Sequence, residues 1–269
     1  MAIYNKIGKS YDLTRKADPE IVDKIYNLLN LGVEPGKAKI LDIGCGSGNY
    51  TIALKNKGLD IEGVDISQEM LTKARSKNKE IKFNLGDACN LSKLYHNQQF
   101  DGGICVLATH HIKNLSVAFE QISRILKNGA NLVIFTATPT QMKKYWLNYY
   151  FPEIMKSATI DEMRDFENLQ NLLINAGFLA IKSEPFFVTD NLQDMFLHSG
   201  KYRPEIYLEQ KFRDGISTFA KNTNHPEIKS GLKKLKEDIN SKKINQIIAD
   251  HETKLGEYLF VSAKRLPSS

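Results

Sequence analysis

The run Ile40-Leu41-Asp42-Ile43-Gly44-Cys45-Gly46-Ser47-Gly48 constrains this chain more than any other stretch. A short strand of buried character passes straight into three glycines at alternate positions. Each glycine lacks a Cβ and reaches backbone angles closed to other residues, so such a turn can bring bare backbone against a ligand. A second strand-like run, Leu59 to Val64, ends at Asp65. An acid roughly 20 residues past a glycine-rich turn can accept hydrogen bonds from the two hydroxyls of a ribose. Together the two features predict a nucleoside-containing cofactor on an α/β sheet.

Spacing narrows the cofactor. In the NAD fingerprint, Gly-x-Gly-x-x-Gly, the third glycine lets helix and strand pack closely. Counted from Gly44 and Gly46 it would fall at Asn49; it falls at Gly48. A P-loop is excluded because no Gly-Lys-Ser/Thr follows the turn.

Along the chain, strand and helix patterns alternate. Asp18-Pro19-Glu20 starts a helix, with Asp18 as its cap and Pro19 at its first position. Strands are predicted at 39–43, 60–64, 81–84, 100–106 and 132–136. Helices follow the glycines to Lys57, run from the Ser67 cap to Ser76, and run from Ser116 to Leu126 with a stop at Asn128-Gly129. Thr159-x-x-Glu162 reads as a capping box for a helix that Ala176-Gly177 ends. A sixth strand is predicted over 178–189, with Pro185 at an edge or bulge. Residues 257–263 read as the last strand. The alternation implies parallel strands joined by helices, an α/β fold.

The motifs in order resemble those of the class I S-adenosylmethionine (SAM) methyltransferases. Asp42-x-Gly44-x-Gly46-x-Gly48 resembles the family's first motif, and Gly63-Val64-Asp65-Ile66-Ser67 its second. Leu85-Gly86-Asp87-Ala88 resembles the third, Phe100 to Leu107 the fourth. Ala108-Thr109-His110-His111-Ile112 is like the "Leu-His-His" stretch of small-molecule members, including quinone-biosynthesis and trans-aconitate methyltransferases. The resemblance is close over residues 4–136 and looser beyond. It implies a doubly wound, Rossmann-like seven-stranded sheet of order 3-2-1-4-5-7-6, with strand 7 antiparallel.

It also implies a cofactor, SAM, with S-adenosyl-L-homocysteine as product, and a set of cofactor contacts. Gly44, Cys45 and Gly46 would offer backbone to the methionine portion, with Asp42 reaching its ammonium. Asp65 would take the ribose hydroxyls, Ile66 and Met70 the adenine faces, and Asp87 and Ala88 the adenine edge. Val106 stands at the methionine end, where the family often has a polar side chain. Tyr11 and Arg15, in Ser10-Tyr11-Asp12-Leu13-Thr14-Arg15, would close over the cofactor, Arg15 pairing a carboxylate. His110 and His111 are the acid/base candidates, because histidine titrates near neutrality and the pair follows strand 4. Adjacent residues point in different directions, so one of the two is expected to face the pocket.

Four segments are expected. Residues 1–139 form the SAM-binding core with its arm. Residues 140–189 hold an aromatic segment, a helix and strand 6. Residues 190–254 are a helical insertion acting as a lid and acceptor pocket, and 255–269 the final strand and tail. A connection as long as 190–254 needs structure of its own. Tyr145, Trp146 and Tyr149 are expected to bind an apolar or aromatic acceptor, and Lys201 or Arg203 an acidic one.

The 269 residues carry a formal net charge of +6. Nucleic-acid binding is not expected from it. Lys229, Lys233, Lys234, Lys236, Lys242 and Lys243 alternate with Ile228, Leu232, Leu235 and Ile239 at spacings of three and four, the solvated face of one amphipathic helix. No apolar run is long enough to span a membrane. The three cysteines have no metal-pair spacing, and no metal is expected. With no apolar leader at the N-terminus, a reducing cytoplasm is the expected location. The motifs of amino-methylating DNA and RNA enzymes, cytosine-C5 enzymes and arginine methyltransferases are absent. The predicted function is methyl transfer to a small organic acceptor. The alternatives are an RNA or protein methyltransferase and a non-catalytic SAM-binding module.

Overall fold

The computed structural model describes residues 14–32, 34–162 and 164–267. Tyr11 lies outside them. A seven-stranded sheet of order β3-β2-β1-β4-β5-β7-β6 forms the centre. Its strands are β1 (Lys39–Ile43), β2 (Asp60–Asp65), β3 (Phe83–Leu85), β4 (Phe100–Val106), β5 (Leu126–Thr136), β6 (Phe178–Phe186) and β7 (Tyr258–Arg265). The first five pair in parallel, and β7 runs antiparallel to both β5 and β6. The sheet class, order and antiparallel last strand agree with the expectation. The chain leaves β1 toward β2 on one side, while β4 lies on the other. Loops at the carboxyl ends of β1 and β4 therefore part at a switch point, where open α/β sheets bind ligands.

Helices cover both faces. On one lie α1 (Pro19–Leu29) and α2 (Asn49–Asn56); on the other α4 (Leu115–Ile125) and α7 (Phe166–Asn175). The strand period of two sorts β5 between them: Val133 and Phe135 enter the first core, Leu132 and Ile134 the second. α3 (Gln68–Lys77) packs Leu71 and Ala74 on Phe83. The predicted caps form: Asp18 accepts from the N–H groups of Glu20 and Ile21, Ser67 from that of Met70. Pro185 lies on β6, the edge strand.

Three expectations are corrected. β5 starts at Leu126, which pairs with Phe100, so helix α4 ends at Ile125 and not at Asn128-Gly129. Thr159 lies inside α6 (Pro152–Glu162); the next helix starts after Asp165, whose carboxylate accepts from Asn168 N–H at 2.8 Å. The amphipathic helix expected to carry Ile228 through Lys243 is two, α10 (Pro226–Asn240) and α11 (Lys243–Asp250), broken where Lys242 turns to φ +62°. The apolar stripe explains the break. Continued from Ile239 by three or four it would meet Lys242 and Lys243, whereas the buried residues are Ile244 and Ile247.

The aromatic segment and the insertion pack into one body that extends the first core. α5 (Pro139–Lys144) leads into a short turn, Trp146–Tyr149, and then α6; α8 (Gln210–Asp214), α9 (Ser217–Ala220), α10 and α11 lie against them. Glu227 of α10 accepts from the N–H groups of Glu153 (3.0 Å) and Ile154 (2.9 Å), capping α6 from outside. Tyr150 donates to Asp238 at 3.0 Å. At Gly231 a Cβ would stand 2.4 Å from Phe151 Cε1 and 2.5 Å from the Tyr150 carbonyl oxygen. The carbonyl cannot swing aside. Gly231→Ala should therefore cost about 1–3 kcal/mol, read as a melting temperature lower by about 2–4 °C per kcal/mol.

Candidate active site

The loops at the carboxyl ends of β1, β2, β3 and β4 surround a cavity of about 440 Å³. Asn49 and Tyr50 of α2 and Met70 of α3 also line it, and two residues come from farther away: Arg15 from the arm before α1, and Asp194 from the insertion.

The glycine turn forms one wall. Gly44 has φ +73°, and a Cβ there would come within 2.5 Å of Ala108 Cβ, so the turns after β1 and β4 touch only because Gly44 is bare. Gly48 has φ +77°, and a Cβ there would lie 2.8 Å from the Phe83 ring and 3.1 Å from Ala74. The third glycine thus lets the turn pack on β3 and α3. Gly46 N–H donates to Asp65 at 2.8 Å, and Ser67 N–H donates to the other oxygen of Asp65 at 2.8 Å. Asp65 therefore braces the turn while lining the cavity. Burial raises its pKa, against the pull of these backbone donors.

Asp42 is the most perturbed acid. It is buried, and one oxygen accepts from the Thr51 hydroxyl at 2.6 Å. The other, Oδ1, is buried with no partner among the described residues. Burial pushes its pKa up to about 7; the Thr51 hydrogen bond lowers it and the Asp65 charge raises it. An unpartnered buried carboxylate oxygen calls for a cationic donor. Farther along, Ile66 is 61% exposed and Met70 buried. Asp87 accepts from Cys89 N–H at 2.9 Å and stands at the rim beside Ala88. Cys45 and Val106 also line the cavity. Burial pushes the Cys45 thiol well up, so it stays protonated.

At the end of β4, Leu107 adopts φ +51° and lines the cavity. A left-handed leucine is uncommon and marks a strained site. A short turn, Thr109–His111, follows. His111 is the member of the histidine pair that lines the cavity. The His110 ring lies tilted against it, with centres 3.9 Å apart, and its buried Nδ1 has no hydrogen-bond partner among the described residues. Burial lowers both, to about 4 for His110 and about 2 for His111; the His110 ring adds to the shift of His111, and Lys221 and Arg15 add to both. Both imidazoles are neutral at pH 7.

Residues 145–149 do not reach the cavity. Tyr145 hydrogen-bonds the Tyr207 hydroxyl and donates to His198 C=O, and Trp146 is buried edge-on to Tyr150 and Tyr207. Tyr149 faces outward under the Lys234 ammonium, 3.6 Å from the ring centre. These side chains hold the insertion together. Nor do Lys201 and Arg203 face it: Lys201 pairs with buried Glu257 at 2.9 Å, and Arg203 donates to the carbonyls of Leu192 and Ser199. Missed by sequence reasoning were Tyr50, Leu107 and Asp194. Tyr50 follows the glycine turn, a usable signal; an isolated acid at 194 offers none.

The cavity fits a cationic nucleoside. Four carboxylates line it, those of Asp42, Asp65, Asp87 and Asp194, the bare glycine turn leaves room for a ligand's chain, and Ile66 presents open apolar surface. Among the described residues no group of three His, Cys, Asp or Glu side chains could hold a metal ion, and no helix is long and apolar enough to cross a membrane.

Comparison with known proteins agrees. Residues 41–134 match the family model described as a methyltransferase domain. A demethylmenaquinone methyltransferase of Leptospira interrogans is 27% identical over 216 residues, covering 68% of this chain and 86% of its own. A solved structure from Anabaena variabilis, described as a methyltransferase from an antibiotic biosynthesis pathway, is 32% identical with a TM-score of 0.80, covering 93% of this chain and 98% of its own. The fold is also shared by the phosphoethanolamine N-methyltransferase 2 of Haemonchus contortus solved with SAM, at 22% identity and TM-score 0.55, over 91% of this chain and 52% of that one. The chain belongs to the class I SAM-dependent methyltransferases.

Proposed function

We propose that the enzyme methylates a small organic acceptor, and that the cavity at the β1/β4 switch point holds both cofactor and acceptor. The observation that carries this is the cavity's construction. It is lined on one side by the arm and the insertion, joined through Arg15 and Asp194, and its volume is that of small-molecule sites. The name of the Leptospira relative points the same way, toward a quinone-like acceptor.

In this reading Asp42 Oδ1 receives the cofactor's ammonium, and Gly44, Cys45 and Gly46 face its methionine chain. Asp65 binds the ribose hydroxyls. Ile66 and Met70 flank the adenine, whose edge meets Asp87 and Ala88. Val106 and Leu107 border the reacting end. When bound, the cofactor supplies an electrophilic methyl on a sulfonium. The protein aligns the nucleophile with it and excludes water. His111, neutral in the wall, accepts a hydrogen bond from the acceptor, with the His110 ring packed against it.

Turnover of SAM on a panel of phenolic, quinol, amine and carboxylate acceptors tests the reading. Product formation with one small acceptor supports it. Turnover only on RNA, falling steeply with salt as phosphate contacts require, overturns it. With that acceptor, His111→Ala should lower kcat by about tenfold, the loss of one hydrogen bond of about 1.4 kcal/mol, because an imidazole with so low a pKa is too weak a base to take the proton. Because the His111 pKa is so low, kcat should stay flat from about pH 5 upward as far as this group decides it.

A further inference from the structure

Arg15 and Asp194 lie 179 residues apart and meet in the wall of the cavity. The Asp194 carboxylate is a hub for three donors: Arg15 Nε at 2.5 Å, Arg15 Nη2 at 3.1 Å and the Tyr50 hydroxyl at 3.0 Å. Its side chain is 1% exposed. Its neighbours continue the seam. Gln193 N–H donates to Asp18 at 2.9 Å, through the carboxylate oxygen that does not cap α1. Met195 N–H donates to Thr14 C=O at 3.1 Å. Asn49, at the start of α2, donates from its side chain to Arg15 C=O at 3.1 Å. Three consecutive insertion residues are thus stitched to arm residues 14–18, and the arm in turn to the helix that follows the glycine turn.

A bidentate arginine–carboxylate pair is geometrically exacting. Removed from water it adds little net stability over an apolar replacement, because desolvation offsets the attraction. What it does is set position. Every other cavity residue stands on the sheet, its connecting loops, α2 or α3; the arm and the insertion reach the cavity only through this seam.

We propose that Asp194 is a positioning residue for the cofactor: it latches the arm onto the insertion along one side of the cavity, so cofactor is exchanged only when the latch parts. This rests on the reading of the cavity as the SAM site. It gives the insertion a role in cofactor retention as well as in enclosing the acceptor.

The test is the release rate of preloaded S-adenosylhomocysteine, measured by competition, in three proteins. Met195 N–H donates to Thr14 C=O, so a cross-link between these two positions bridges the seam where the arm and the insertion already touch. In T14C/M195C the closed disulfide, verified by mass spectrometry, should slow release at least tenfold, and reductant should restore it. In Asp194→Asn release should quicken at least tenfold, and KM for SAM should rise by a larger factor than kcat falls. Equal release from the oxidised and reduced cross-link overturns the latch. So does an Asp194→Asn protein that loses kcat with release and KM unchanged. If Asp194→Asn fails to fold, the cross-link decides alone. Failure of the wild-type protein to bind the probe, or binding that Asp65→Ala leaves intact, overturns the cavity reading instead.

Discussion

Asp65→Ala is expected to weaken SAM binding by about 10²–10⁴, measured by calorimetry, with the fold intact. The carboxylate accepts from the N–H groups of Gly46 and Ser67 on opposite oxygens, with the Ile66 N–H also pulling on it, and the acceptor sites it keeps toward the cavity are the ones for the ribose hydroxyls. Hydrogen bonds to a charged group are worth about 1.5–3 kcal/mol each, so two lost ribose contacts account for about 3–6 kcal/mol. The variant also frees Gly46 N–H, loosening the turn whose shape the cofactor needs. Asp65→Asn separates the two effects. Its amide oxygen can still brace one backbone donor, but it cannot accept at both ends. An affinity for Asp65→Ala within threefold of wild type would remove the ribose assignment.

The second large effect is opposite in sign for stability and for binding. Asp42 has a pKa of about 7 in the folded protein against 3.8 for a free carboxyl. A group whose pKa is raised on folding supports the fold fully below the unfolded value, and that support is lost as pH rises through the folded value. The cofactor-free protein should therefore lose about 4 kcal/mol from this group between about pH 4 and pH 7, the pKa difference multiplied by about 1.4 kcal/mol per unit. Asp42→Asn keeps an oxygen for the Thr51 hydroxyl and has no charge to bury. It should melt higher than wild type at pH 8 and lose the pH slope. In the proposed reading of the site, SAM binding needs the ionised carboxylate beside an ammonium. Wild-type affinity should fall about tenfold per unit below pH 7, with a proton released on binding that calorimetry in two buffers counts. In Asp42→Asn both the affinity and the proton release should be lost. A flat pH profile for wild-type binding would show that Asp42 does not meet the ammonium.

Much of this site was legible before any coordinates. Asp42, Asp65 and Asp87 lie at or just past the ends of β1, β2 and β3, and parallel strands carry all their carboxyl ends to one edge. Once the strands could be read, the three acids had to converge. The spacing of Gly44, Gly46 and Gly48 also spoke, because the backbone angles and the contacts with Ala108 and Phe83 admit no side chain.

Other features had no local signature. A buried aromatic in a core and one in a binding pocket look the same in a sequence, since periodicity reports burial and not what does the burying. Tyr145 and Trp146 therefore read as acceptor contacts until packing placed them against Tyr207 and Tyr150. Adjacency told that the two histidines diverge, but only the turn after β4 set His111 toward the cavity.

The sequence by itself determined the α/β sheet, the cofactor class and the wall of the site built on strand ends, because each follows from short-range pattern repeated along parallel strands. Tertiary structure alone decided the opposite wall. Arg15, Tyr50 and Asp194 meet there across up to 179 residues, and such a contact arises from how the insertion packs as a body, which no spacing of neighbouring residues records.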